Sequence, residues 1–163
     1  MITKEQFTQA LLAELAIVRH LGSKVTRDVL DYRPTEKQRS MLELMQYLSH
    51  MISISVSVNS TGDVSLYKTL GEKAPQINLE NFDSVMLNQE KEVKEKLDAL
   101  TEEDLNHEIN LWGHNATAGF HVLSILKFVT AYKMQLFLYL KASGKTDLNT
   151  SNLWRGVDPA PEQ

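Results

Sequence analysis

Apolar residues recur along most of this chain at steps of three and four, the spacing that lines one face of an α-helix. Phe7, Leu11, Leu15, Val18, Gly22 and Val25 form the first such stripe, with His20 off it. Ahead of it, Thr3 and Gln6 have capping-box spacing: the hydroxyl accepts from the Gln6 N–H and the amide reaches back. Tyr32-Arg33-Pro34-Thr35 should end the segment, because the residue before proline is pushed out of the helical region. Thr35 is then placed to cap a second helix from about Glu36, whose stripe is Met41, Leu42, Met45, Leu48 and Ile52. From Ile52 to Val58 the pattern alternates as a half-buried strand would, and Asn59-Ser60-Thr61-Gly62-Asp63 is a turn cluster. The apolar series running into it favours a helix to about Val56.

Residues 60–78 hold Gly62, Gly71 and Pro75 with little periodicity and read as an irregular connection; one this long is often functional or carries short elements of its own. Phe82, Val85, Met86, Gln89, Val93, Leu97 and Leu100 mark a third helix, with Glu90/Lys94 and Glu92/Lys96 as i,i+4 pairs on a solvated face. Thr101-Glu102-Glu103-Asp104 resembles the capped start of a short helical turn. His107 to Gly113 should be extended or looped. A last helix, from about Asn115 to Ser143 with Gly144 just past its end, is apolar on most sides, so it is either central or also covers a subunit interface. Leu153 and Trp154 should pack the tail, 146–163, back onto the helices. The expected class is all-α, in one domain spanning 1–163.

Composition narrows the classes. The chain has 163 residues, 42% hydrophobic and 23% charged, which is ordinary for a globular domain. A formal net charge of −4 argues against nucleic acid and anionic membrane as partners, both of which select clustered Lys and Arg. Cys 0 removes thiol nucleophiles, thiolate metal sites and disulfides, and fits a reducing cytoplasm. Met1-Ile2-Thr3-Lys4-Glu5 has no basic and apolar leader pattern. The most apolar stretch, Phe128 to Leu140, is broken by Lys133 and Gln135 and falls short of the roughly 20 residues that span a bilayer. These features set the expectation of a cytoplasmic protein. Neither a Gly-x-Ser-x-Gly elbow nor a phosphate loop occurs.

Leu30-Asp31-Tyr32-Arg33-Pro34-Thr35, Gln38-Arg39-Ser40-Met41-Leu42-Glu43-Leu44 and Ser49-His50 resemble the junction of helices 1 and 2 in the DinB/YfiT-like proteins. Tyr132-Lys133-Met134-Gln135-Leu136, an apolar run and Gly144 are similar to that family's late helix. The resemblance implies an up-and-down four-helix bundle with an irregular connection between helices 2 and 3, often a homodimer. It also implies a divalent metal, zinc or nickel, held by one His on helix 2 and two as His-x-x-x-His on the late helix, followed by Arg-Gly-Gln. Such i,i+4 residues share a face and can converge on one ion. Some relatives use the metal to activate a low-molecular-weight thiol.

Carried across residue by residue, His50 matches the first ligand and Gln135 the Gln, while Phe128 and Tyr132 stand at the other two ligand positions. Phe binds no metal, and Tyr, with a pKa near ~10, is a poor ligand. His107, His114 and His121 are seven apart, about 10.5 Å of helical rise, too far for two imidazoles to clamp one ion. The expectation is therefore a divergent member without metal or other cofactor, binding a small molecule in a cleft lined by His50, Phe128, Tyr132 and Gln135. His50 would be partly buried and bonded to a neighbour such as Tyr132, and Gln135 a satisfied core amide. No catalytic residue is marked. The alternatives are a metal-dependent enzyme with zinc or nickel at His50, or a structural or regulatory homodimer without ligand.

Overall fold

The protein is described here by a computed structural model covering residues 3–160. Met1 and Ile2, the head of the segment read for a leader, and residues 161–163 of the tail lie outside the described residues. Helix α1, Lys4–Gly22, opens on the expected box: Gln6 N–H donates to Thr3 Oγ1 at 3.1 Å and Thr3 N–H to Gln6 Oε1 at 3.0 Å. It ends at Gly22 rather than at the proline, with the Ser23 N–H turned back onto Arg19 and His20 carbonyls. Glycine and serine are weak helix formers, and here glycine is needed for space. A Cβ at Gly22 would lie 2.1 Å from Cε1 of Phe82, a ring fully enclosed by the core. Gly22→Ala is expected to destabilise by about 1–3 kcal/mol through overpacking, read by chemical denaturation, with partial recovery in Gly22→Ala/Phe82→Leu.

Helix α2, Met41–Thr61, starts five residues later than expected, because Ser40 rather than Thr35 makes the cap. Glu43 N–H donates to Ser40 Oγ at 3.2 Å and Ser40 N–H to Glu43 Oε2 at 2.7 Å, satisfying donors that the first turn leaves free. Thr35 spends its hydroxyl on Gln38 Oε1. The alternating run is helical to Thr61, five residues past Val56, because both of its sets are buried: Ile52, Ile54 and Val56 in the core, Ser53 and Ser55 against other elements. A helix enclosed on all sides need not show the period of one.

The connection carries short elements: a 3-10 turn at 64–67, helix α3, Lys68–Lys73, and a second turn at 74–76. Helix α4, Phe82–Ala99, follows as expected, then helix α5, Glu102–Asn106, capped by Thr101. The extended stretch is the first arm of an antiparallel hairpin, β1, Glu108–Leu111, with β2, His114–Thr117, pairing Ile109 with Ala116 and Leu111 with His114. Strand β2 corrects the expected helix start at Asn115. Its backbone is committed to the ladder, and Thr117 caps helix α6, Ala118–Ala142, by accepting from Phe120 N–H at 3.2 Å. Gly144 lies just beyond in the left-handed region.

The fold is mostly helical with this one small sheet among the described residues. Helices α1 and α2 each pack against both α4 and α6. By length and composition alone the 25-residue α6 is apolar enough to cross a bilayer, which the shorter stretch read from the sequence was not. In the fold it packs against α1 and α2 and buries the Lys133 ammonium completely, 2.7 Å from Glu14 Oε2. Helix α7, Thr150–Arg155, seats Leu153 in a buried position, while Trp154 stays 59% exposed and lays its ring 4.8 Å from Lys133 Nζ. A second, smaller apolar cluster joins Ile54 and Val58 of α2 to Ile109, Leu111 and Ala118, with Tyr67 and Leu70 packed on it. This cluster fixes the hairpin and the 62–81 connection over one end of α2 and α6.

Candidate functional site: an aromatic cleft beside α2 and α6

Between those elements lies a cleft of about 510 Å³, within the range of small-molecule sites. Helix α2 contributes Tyr47, Met51, Ser55 and Asn59, spaced every fourth residue along one face. Helix α6 contributes Ser124, Ile125 and Phe128. The connection adds Tyr67 and Leu70, and the hairpin tip adds Trp112. At one end three rings meet. Phe128 and Tyr132 have centroids 4.6 Å apart, and Tyr47 stands 5.1 Å from Tyr132 and 6.1 Å from Phe128. Arg39 caps this trio, its guanidinium carbon 4.0 Å from the Tyr47 centroid, a cation–π contact. Burial, and then the hydrogen bond with Tyr132, push the Tyr47 phenol well above its ordinary pKa, so it stays neutral.

Of the four residues expected to line one pocket, the structure brings together Phe128 and Tyr132. His50 is elsewhere. It lines a separate recess of about 120 Å³ between α2, the connection and α4, with Ser53, Ser57, Lys73, Glu92 and Lys96. The residue of α2 that faces Phe128 and Tyr132 is Tyr47, three positions earlier. Burial, then the positive charge of Lys73, hold the His50 imidazole below its ordinary pKa. The recess is internally paired: Lys96 Nζ donates to Ser53 O at 2.9 Å and Ser53 Oγ at 2.8 Å, and Ser53 Oγ donates to Glu92 Oε2 at 2.6 Å. Gln135 donates to Tyr139 Oη at 2.9 Å, and that hydroxyl donates to Arg39 O at 3.1 Å, so its amide serves the packing of α6 on the 23–40 segment.

These residues do not fit the three-His metal site that the resemblance implies. The ring trio offers one phenyl and two phenols, and the Tyr47 phenol is driven toward its protonated form. Among the described residues no three His, Cys, Asp or Glu side chains gather as a ligand group. His114 and His121 do come together, edge to face with ring centroids 5.6 Å apart, because His114 stands on β2 rather than on α6. The helical rise expected to separate them therefore does not apply, but among the described residues no third ligand joins them.

Sequence reasoning missed Tyr47, Asn59, Tyr67 and Trp112. Asn59 was read as part of a turn, and Tyr67 lies in the segment without periodicity. Trp112-Gly113 carries none of the usual two-residue hairpin signatures, so nothing in the sequence marked the Trp112 loop.

No family model matches the chain. It is similar to the uncharacterized protein YjoA of Bacillus subtilis (strain 168), 22% identical over 151 residues, spanning 91% of this chain and 96% of the relative. Among solved structures it matches the crystal structure of a DinB-like protein, YjoA, from Bacillus subtilis. That match has a TM-score of 0.70 and 23% identity, and covers 88% of this chain and 96% of the other. The fold is therefore DinB-like, and the resemblance carried by the helix junction and the late helix is supported.

Proposed function

We propose, on the premise of a DinB-like fold, that the four long helices form an up-and-down bundle whose cleft between α2 and α6 binds a small molecule without a resident metal. The observation that carries this reading is the cleft itself. About 510 Å³ is lined by apolar and aromatic side chains with a few polar handles, Ser55, Asn59 and Ser124, and Phe128, at one of the expected ligand positions, is among them. Aromatic rings at the expected ligand positions replace a cation by a surface suited to an organic ligand. The cysteine-free composition is consistent with action in the cytoplasm.

A thermal-shift screen across metabolite classes tests the reading. A hit should raise the melting temperature of the native protein and lose at least half of that rise in Phe128→Ala, which removes a wall of the cleft. A flat response across all classes would sink it. Metal analysis of protein purified without tag or chelator addresses the alternative enzyme: stoichiometric zinc or nickel that disappears in His50→Ala would replace the proposal.

One observation favours a second role as a homodimer. Phe120, Leu123 and Leu138 of α6 are exposed large apolar side chains, the kind of surface that marks association when contiguous. Light scattering reads this directly.

A further inference from the structure

Resting on the cleft reading above, we infer that the ligand is a neutral, flat aromatic or heteroaromatic molecule of one or two rings that donates an N–H or O–H hydrogen bond to Asn59 Oδ1, with Trp112 as its clamp. Neutrality follows from the walls. The residues lining the cleft are all uncharged. The cation at its rim, Arg39, stacks on Tyr47, twelve residues or about 18 Å of helix from Asn59. An ionic ligand seated by Asn59 would therefore lose its hydration with no adjacent counter-charge to meet it.

The donor follows from Asn59. This side chain is 6% exposed; its Nδ2 donates to the His121 carbonyl at 2.6 Å, which fixes the amide's orientation, and its Oδ1 has no hydrogen-bond partner. Buried amide oxygens are almost always satisfied, and this one belongs to a residue that lines the cleft. The other polar handles are already engaged: Ser124 Oγ donates to the His121 carbonyl at 2.6 Å, and Ser55 Oγ lies 3.4 Å from Tyr67 Oη. Asn59 Oδ1 is thus the acceptor that a ligand N–H or O–H would meet.

Flatness follows from Trp112. Leu111 and His114 are paired, so Trp112 and Gly113 form a two-residue loop with φ of 52° and 81°. Positive φ at both places suits Asn-Gly and is strained for tryptophan. Burial does not repay that strain, since Trp112 is 71% exposed. The conformation sets the indole beside Tyr67, 6.1 Å between centroids and 29° between planes, on the wall of the cleft. Stacked on Tyr67 yet 71% exposed, the indole keeps an open aromatic face for a planar ligand, and strain kept at so exposed a position points to ligand contact.

Isothermal titration of the full chain with indole, 1-methylindole and indole-3-carboxylate tests this. Indole should bind, 1-methylindole at least tenfold more weakly for want of the N–H, and the carboxylate more weakly still. Asn59→Ala should abolish the difference between indole and 1-methylindole. Trp112→Asn should weaken indole at least tenfold while keeping or raising the melting temperature, because asparagine accepts positive φ. The native protein's preference for indole over 1-methylindole needs no variant, so a folding defect in Asn59→Ala leaves the inference open to refutation. Equal affinity for the two indoles, tighter carboxylate binding, or no indole binding overturns it; a water satisfying Asn59 Oδ1 would give the first result. A fall in melting temperature for Trp112→Asn would show that Trp112 serves the fold and overturn its role as clamp. The cleft reading itself falls only if the metabolite screen is flat as well.

Discussion

Replacing Lys133 by methionine should cost about 3–5 kcal/mol of stability, the usual penalty for removing one partner of a buried ion pair. The Lys133 side chain is wholly enclosed, its ammonium 2.7 Å from Glu14 Oε2 and beneath the ring of Trp154. The variant leaves the Glu14 carboxylate, itself largely covered, without a cation. For a chain of this size the midpoint of thermal unfolding should fall by on the order of 10 °C. Lys133→Met/Glu14→Leu should recover most of that loss, because an apolar pair of similar volume carries no desolvation penalty. A single variant that loses less than about 1 kcal/mol would mean that water reaches the pair. Since Lys133 joins α6 to α1 and meets Trp154 of α7, the same variant should expose the tail to protease earlier.

Gln89→Leu should be the next most damaging change, at about 2–3 kcal/mol. Gln89 is 1% exposed within α4 and reaches into the backbone of α2. Its Oε1 accepts from Ile52 N–H at 3.0 Å and Ser53 N–H at 3.2 Å, and its Nε2 donates to Leu48 O at 2.8 Å. Leu48 and Ile52 are helical i→i−4 partners, so the amide inserts at one rung of the α2 ladder. Leucine would fill the volume and satisfy none of these groups, and each buried group left unpaired costs about 1–3 kcal/mol before the rung recloses. Equilibrium denaturation gives the total. Hydrogen exchange should show faster opening at Ile52 and Ser53 than elsewhere in α2. Unchanged exchange at those two amides would mean that the rung closes without Gln89.

The sequence carries both of these features as polar residues on apolar helices, and their partners not at all. Gln89 sits within the α4 stripe and Lys133 interrupts the α6 run. That Gln89 meets α2 and Lys133 meets Glu14 depends on how helices far apart in sequence lie side by side. The candidate site divides the same way. Phe128 and Tyr132 share a face because they are one helical turn apart, and the structure keeps them together. Helical spacing cannot tell which residue of another helix stands opposite. His50 and Tyr47 are three positions apart on α2, and the packing turns Tyr47 toward α6 and His50 toward α4 and the connection.

The sequence by itself determined the long helices, the caps at Thr3 and Thr101, and the helical class, because each depends on residues three or four apart whose interactions are local. Even there, Ser40 displaced Thr35 as the cap of α2, since two reciprocal bonds to Glu43 outweigh one available hydroxyl. The tertiary structure alone decided the second hairpin strand, the enclosure of the alternating Ile52–Val58 run, and the grouping of Tyr47, Asn59, Tyr67 and Trp112 around one cleft. Those outcomes rest on contacts between distant segments, and a pattern read along one strand of chain carries no term for what packs against it.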